Sequence, residues 1–172
     1  MITEANFVTR ILADPKNFAT YLIFADWLEE QGDPRAEYLR MIDGPPTIER
    51  YPDSARVFWN SLGLVLRFHD NRLGTLYFLS GWPNGYCPYR GPLPYGLSFQ
   101  DTRADVERKL GKPQIIDGDE VAESSVRYPH LDIGVSYSTK RQTKDAGDRI
   151  KTSGDRIKTM RFQLPELDTP LE

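Results

Sequence analysis

Cysteine is almost absent: the 172-residue chain has one, Cys87, so no disulfide closes within it. Histidine is nearly as scarce, with only His69 and His130. Zinc sites take three or four ligands, drawn largely from these two residue types. The composition therefore argues against a metal centre, and no metal or cofactor is expected. No run of 18 apolar residues occurs, which excludes a spanning helix. Met1–Asn6 lacks the basic and apolar regions of a secretory signal, so the expected compartment is the cytoplasm of a bacterium. No phosphate-cradling glycine loop, nucleophile elbow or metalloprotease motif is present either. What the chain does have is bulk. Three Trp, nine Tyr and eight Phe are enough to fill a core, which excludes a wholly disordered chain.

The formal net charge of −3 conceals an asymmetry. Residues 1–44 hold four basic and eight acidic side chains, whereas Lys140–Arg161 holds eight basic and three acidic ones. An acidic head and a basic tail segment are candidate partner surfaces. The plainer alternative is two ordinary solvated faces.

The head, residues 1–44, reads as three short helices. Thr3 caps a helix over about 4–13, which Asp14-Pro15 stops, because the residue before proline disfavours helical backbone. Asn17 caps a second over about 18–31. Its apolar residues, from Phe18, Tyr21, Leu22 and Ile23 to Phe24, Ala25, Trp27 and Leu28, exceed one face, so this helix is expected to be packed on two sides. Gly32 suits the left-handed position past its end, and Asp33-Pro34 opens a third helix over about 34–42.

The stretch Phe24-Ala25-Asp26-Trp27-Leu28-Glu29-Glu30-Gln31-Gly32-Asp33-Pro34-Arg35-Ala36-Glu37 resembles the bacterial repeat-companion domain, with Phe24 where that family carries tyrosine. The resemblance covers about a quarter of the chain. It implies an accessory module of multidomain bacterial proteins with no known activity. Asp26, Glu29, Glu30, Asp33 and Glu37 lie about a turn apart, so a shared proton or bound cation is one reading and ion pairs with Arg35 and Arg40 the other.

Residues 45–56, bracketed by Gly44-Pro45-Pro46 and Tyr51-Pro52-Asp53, read as a linker. Beyond it the hydrophobic period becomes two. Leu62, Leu64, Leu66 and Phe68 alternate, a polar turn follows at His69-Asp70-Asn71-Arg72, and Leu73–Leu79 returns, which predicts an antiparallel hairpin in a first unit, 57–95. A second unit, 96–172, begins with a short strand at Gly96-Leu97-Ser98-Phe99. Thr102 and Asp105 then form a capping-box pattern for a helix carrying Val106 and Leu110, ended by Gly111 and Pro113. Strands follow at Ser125–Tyr128, Leu131–Tyr137 and Ile157–Leu164. The two units form a weak internal repeat of a helix-plus-meander module. The fold class is therefore α+β, with the helical head packed on an antiparallel sheet body. Gly96-Leu97-Ser98-Phe99 with Leu110-Gly111-Lys112-Pro113 resembles β-lactamase-inhibitor-like modules, small outer-membrane assembly lipoproteins and immunity-type proteins. This resemblance implies action by protein binding; the chain lacks a lipid-attachment cysteine at its N-terminus.

Two stretches stand out as sites. Residues 81–96 are half Gly or Pro and contain Trp82, Tyr86, Tyr89 and Tyr95 around Arg90. Proline stiffens the backbone, and Trp, Tyr and Arg are hot-spot residue types. The alternative is a connector whose rings pack on the sheet. In the tail, Gly147-Asp148-Arg149-Ile150-Lys151-Thr152 recurs as Gly154–Thr159. Only one copy supplies the last strand in a given register, and Met160, Phe162 and Leu164 continue the second. The first is then an exposed basic insertion, with Lys140, Arg141, Lys144 and Arg149 as partner contacts. No aromatics interleave with these charges, which argues against nucleic acid. The leading expectation is a non-enzymatic protein-binding protein, of immunity or antitoxin type, that blocks a protein partner, with no membrane association. The rivals are an accessory or scaffold module and a small hydrolase using carboxylates or Cys87.

Overall fold

The computed structural model describes residues 2–81, 86–117, 125–138 and 156–163. The chain forms two compact units, Met1–Gly91 with Phe162–Leu164 and Pro92–Arg161 with Pro165–Glu172. Its class is α+β, with four α-helices and eight strands among the described residues.

The first unit opens with α1 (Glu4–Ala13), α2 (Phe18–Glu30) and α3 (Arg35–Arg40). Thr3 caps α1: its backbone N–H and its hydroxyl both donate to the Asn6 side chain at 2.9 Å. α2 ends in a Schellman turn, with Gly32 at φ +71°. There the Gly32 N–H donates to the Glu29 carbonyl at 2.8 Å and the Asp33 N–H to that of Leu28 at 2.9 Å. A four-strand antiparallel meander follows: β1 (Thr47–Arg50), β2 (Ser54–Trp59), β3 (Leu64–His69) and β4 (Arg72–Leu79). Asp70 and Asn71 both take positive φ, the tight two-residue turn that matches strand twist. Opposite Gly74 the register shifts at Arg67/Phe68, so Phe68 faces Leu73.

One sheet face is apolar throughout: Val57, Trp59, Leu64, Leu66, Phe68 and Phe78 are all buried. The helices cover it. Tyr21 meets Trp59 edge-on at 5.5 Å, and Tyr38 meets Phe78 at 4.9 Å. Packing of the head on the sheet is thus a property of the fold.

Two expectations fail here. The supposed linker 45–56 contains β1 and the start of β2. Thr47-Ile48-Glu49-Arg50 is a short, mostly exposed edge strand held by its ladder to β2, so it has no hydrophobic period to read. Nor is α2 packed on two sides. Tyr21, Phe24, Ala25 and Leu28 are buried, but Phe18, Leu22 and Ile23 face solvent.

The second unit holds α4 (Arg103–Leu110) and a meander ordered β5 (Ile115–Asp117), β6 (Ser125–Tyr128), β7 (Ile133–Ser138) and most of β8 (Arg156–Gln163). The capping box is present: the Asp105 N–H donates to the Thr102 hydroxyl, and the Thr102 N–H donates back to the Asp105 carboxylate at 3.0 Å. Both units therefore run helix first, meander second, as the weak repeat implies. The expected strand at 96–99 is absent, because Tyr95 and Gly96 take successive left-handed conformations inside a 3₁₀ turn, Pro94–Gly96. Val106, Val126, Tyr128, Ile133, Val135, Tyr137, Ile157 and Met160 are buried.

Candidate interaction surface

The acidic residues of the head divide by burial. Arg35, 3% exposed, donates from Nε to both Asp33 oxygens (3.0 and 2.9 Å), and from Nη1 to Glu4 at 3.0 Å and to the Leu73 carbonyl at 2.5 Å. Glu4 also accepts the Leu73 N–H at 2.9 Å. Burial alone would lower the Arg35 pKa, but the Asp33 hydrogen bonds and the Glu4 charge outweigh it and raise the value. This network ties α1, the α2–α3 turn and the start of β4 together, so Asp33 has a structural task. On the surface, Arg40 bridges Asp26 (2.8 Å) and Glu29 (2.6 Å), and the hydrogen bond to Glu29, then that to Asp26, holds its pKa above the usual range. Glu30 and Glu37 remain exposed. No group of three metal-ligating side chains converges among the described residues.

Between these features lies the exposed face of α2. Phe18, Leu22 and Ile23 are 36%, 48% and 55% exposed. At 100° per residue, Phe18 and Leu22 share one stripe, with Ile23 flanking it, and Asp26, Glu29 and Glu30 continue the same side toward the C-terminus. The surface is apolar over two turns and then acidic. The sequence reading placed these three apolar residues in the core. The signal that betrays them is their excess over a single buried face.

The predicted aromatic loop behaves differently. The Tyr89 ring is 7% exposed and packs on Phe78 at 4.9 Å, and its hydroxyl donates to the Met41 sulfur at 3.1 Å. Burial, then the charge of Glu37, pushes its pKa up to about 12. Tyr86 packs half-buried against Phe58 at 6.0 Å. The backbone is pinned as well, the Cys87 N–H to the Asn60 carbonyl at 2.8 Å and the Tyr89 N–H to that of Leu79 at 2.9 Å. Gly63, at φ +63°, makes room: a Cβ there would lie 2.3 Å from the Cys87 carbonyl oxygen. Tyr89 is thus a core ring. Arg90 is exposed. In the second unit Tyr95 is half exposed, its hydroxyl donating to the Leu131 carbonyl at 3.3 Å. Trp82, Lys140, Arg141, Lys144 and Arg149 lie outside the described residues.

Among the described residues of the first unit, Cys87 and His69 do not pair. Cys87 is tied to the β2–β3 turn, while His69 ends β3 five residues on from Leu64, about 17 Å along a strand. An open cleft of about 360 Å³ lies between α1 and the β1–β2 and β3–β4 turns, lined by Leu12, Arg50, Asp53, Ser54 and His69 among others. Ser54 is the register partner of His69. Both imidazole nitrogens are engaged elsewhere, Nδ1 with the Asp53 carbonyl at 2.8 Å and Nε2 with Asp70 at 3.2 Å. The Arg50 guanidinium caps the end of α1 by donating to the Leu12 carbonyl at 2.5 Å.

Compared with family models, with curated proteins and with solved structures, the chain matches none of them. No helix among the described residues is long and apolar enough to cross a membrane.

Proposed function

We propose that this chain is a non-enzymatic protein-binding module whose docking surface is the exposed face of α2. The observation that carries this is the pairing of Phe18, Leu22 and Ile23, open to solvent, with a helix whose opposite side is fixed by Tyr21 on Trp59 and by Phe7 stacked on Phe24 at 5.1 Å. A rigid apolar patch loses little entropy on binding. Contiguous exposed apolar surface rimmed by polar groups marks protein contact sites. The head's resemblance to the repeat-companion domain agrees with a helical module that works by association. The action is blockade of a protein partner in the manner of an immunity or antitoxin-like inhibitor, in the bacterial cytoplasm. The second reading, an accessory module that assembles larger complexes, uses the same face and differs only in what the bound partner then does.

The test compares wild type with Leu22→Ser/Ile23→Ser as bait in the native host, after matched melting temperatures are verified. A protein held by wild type and lost from the double variant is the expected result. A partner retained equally by both removes α2 from the interface. Inhibition of the captured protein's activity by wild type then separates blockade from assembly.

A further inference from the structure

Resting on the reading of α2 as a docking surface, we infer the chemistry of its occupant: an amphipathic helix of a partner protein, with apolar anchors followed by Lys or Arg about 12 Å along its axis. That spacing is the rise from Leu22 to Glu30 in an α-helix. Three observations converge on it. First, the apolar residues Phe18, Leu22 and Ile23 belong to the N-terminal two turns of α2, and the acidic residues Asp26, Glu29 and Glu30 to the C-terminal two. The partner must therefore change character along its length.

Second, the C-terminal end of α2 concentrates negative charge on its exposed side, at Asp26, Glu29 and Glu30. Its last turn holds no basic residue, so nothing within α2 offsets Glu29 and Glu30 there. Arg40 offsets Asp26 and Glu29 only. No hydrogen bond or ion pair engages Glu30 among the described residues. A cationic side chain placed there meets the Glu30 carboxylate beside that of Glu29. Third, the surface is a convex helix side, a shape that another helix matches by setting its ridges into the grooves between side chains. Ordered apolar anchors at i, i+3 or i+4 then meet Leu22 and Phe18.

The probes are two synthetic 18-residue helices with the same leucine stripe, one with lysine and one with glutamate on its polar face, both fluorescently labelled and titrated with the intact protein. The lysine peptide should bind wild type, at least tenfold tighter than the glutamate peptide at low salt, with the difference shrinking as salt rises. Glu29→Lys/Glu30→Lys should weaken the lysine peptide at least tenfold, and Leu22→Ser/Ile23→Ser should abolish its binding. If the two peptides bind equally and both are lost from Leu22→Ser/Ile23→Ser, the basic partner is overturned while the docking surface survives. If the lysine peptide binds Leu22→Ser/Ile23→Ser as well as wild type, the surface itself falls. Failure of both peptides to bind wild type overturns the helical occupant.

Discussion

Arg35 shows how one side chain decides whether a carboxylate is chemistry or scaffold. Three of its nitrogens are spent on Asp33, Glu4 and the Leu73 carbonyl, with Arg35 itself buried and the two carboxylates mostly so. Removing one partner of a buried ion pair leaves the others uncompensated, which typically costs about 3–5 kcal/mol. Arg35→Met should therefore lower the unfolding free energy by that much in urea denaturation, whereas Arg40→Met, on exposed partners, should leave the midpoint where it is. Equal effects from the two would mean that the buried network is not what fixes the head. Asp105 makes a pH-dependent version of the same point. Hydrogen bonds from the Thr102 hydroxyl and N–H hold its carboxyl below the usual range. A depressed native pKa contributes stability above the unfolded value, near about 3.9, and that contribution is lost as pH falls through the native value. Asp105→Asn should flatten the acid limb of the stability curve below about pH 4 and lower stability at neutral pH. An unchanged acid limb would contradict the cap's role.

At the scale of elements, the helices and the hairpin were legible because their signals are local. Thr3, Gly32, Thr102 and Gly111 sit at the helix ends their chemistry demands, and the His69–Arg72 turn joins β3 to β4. What escaped depends on neighbours. β1 exists because β2 offers it a ladder, and Tyr89 is core because Gly63 lets its backbone approach. On α2 the excess of apolar residues over a single face is legible in the sequence, but which of them stay exposed depends on where α1, α3 and the sheet pack. The last strand shows register set by a few side chains. β8 places Ile157, Met160 and Phe162 in buried positions. Threading the earlier copy into the same positions would put Ser153 at Met160 and Asp155 at Phe162, and burying an unpaired carboxylate is far costlier than the apolar contact it replaces. Deleting Asp148–Gly154 should then change stability by no more than about 0.5 kcal/mol, as for a surface alteration. A loss above about 2 kcal/mol would show that the first copy is structural too.

For the whole molecule, each unit runs helix then four-strand meander among the described residues, and in the first the helical part is a three-helix head that covers its sheet and leaves one helix face open. Without residues 1–44 the face built from Val57, Trp59, Leu66 and Phe78 loses its cover. The fragment 45–172 should aggregate or bind a hydrophobic dye, and a soluble fragment melting with wild type would contradict the packing described. The central claim is that the function resides on α2 and not on the aromatic loop. The most direct measurement places a photo-crosslinking residue at Ile23 in one variant and at Tyr95 in another, then irradiates each with the captured partner. Crosslinking from position 23 and none from position 95 is the predicted result; the reverse would contradict the account.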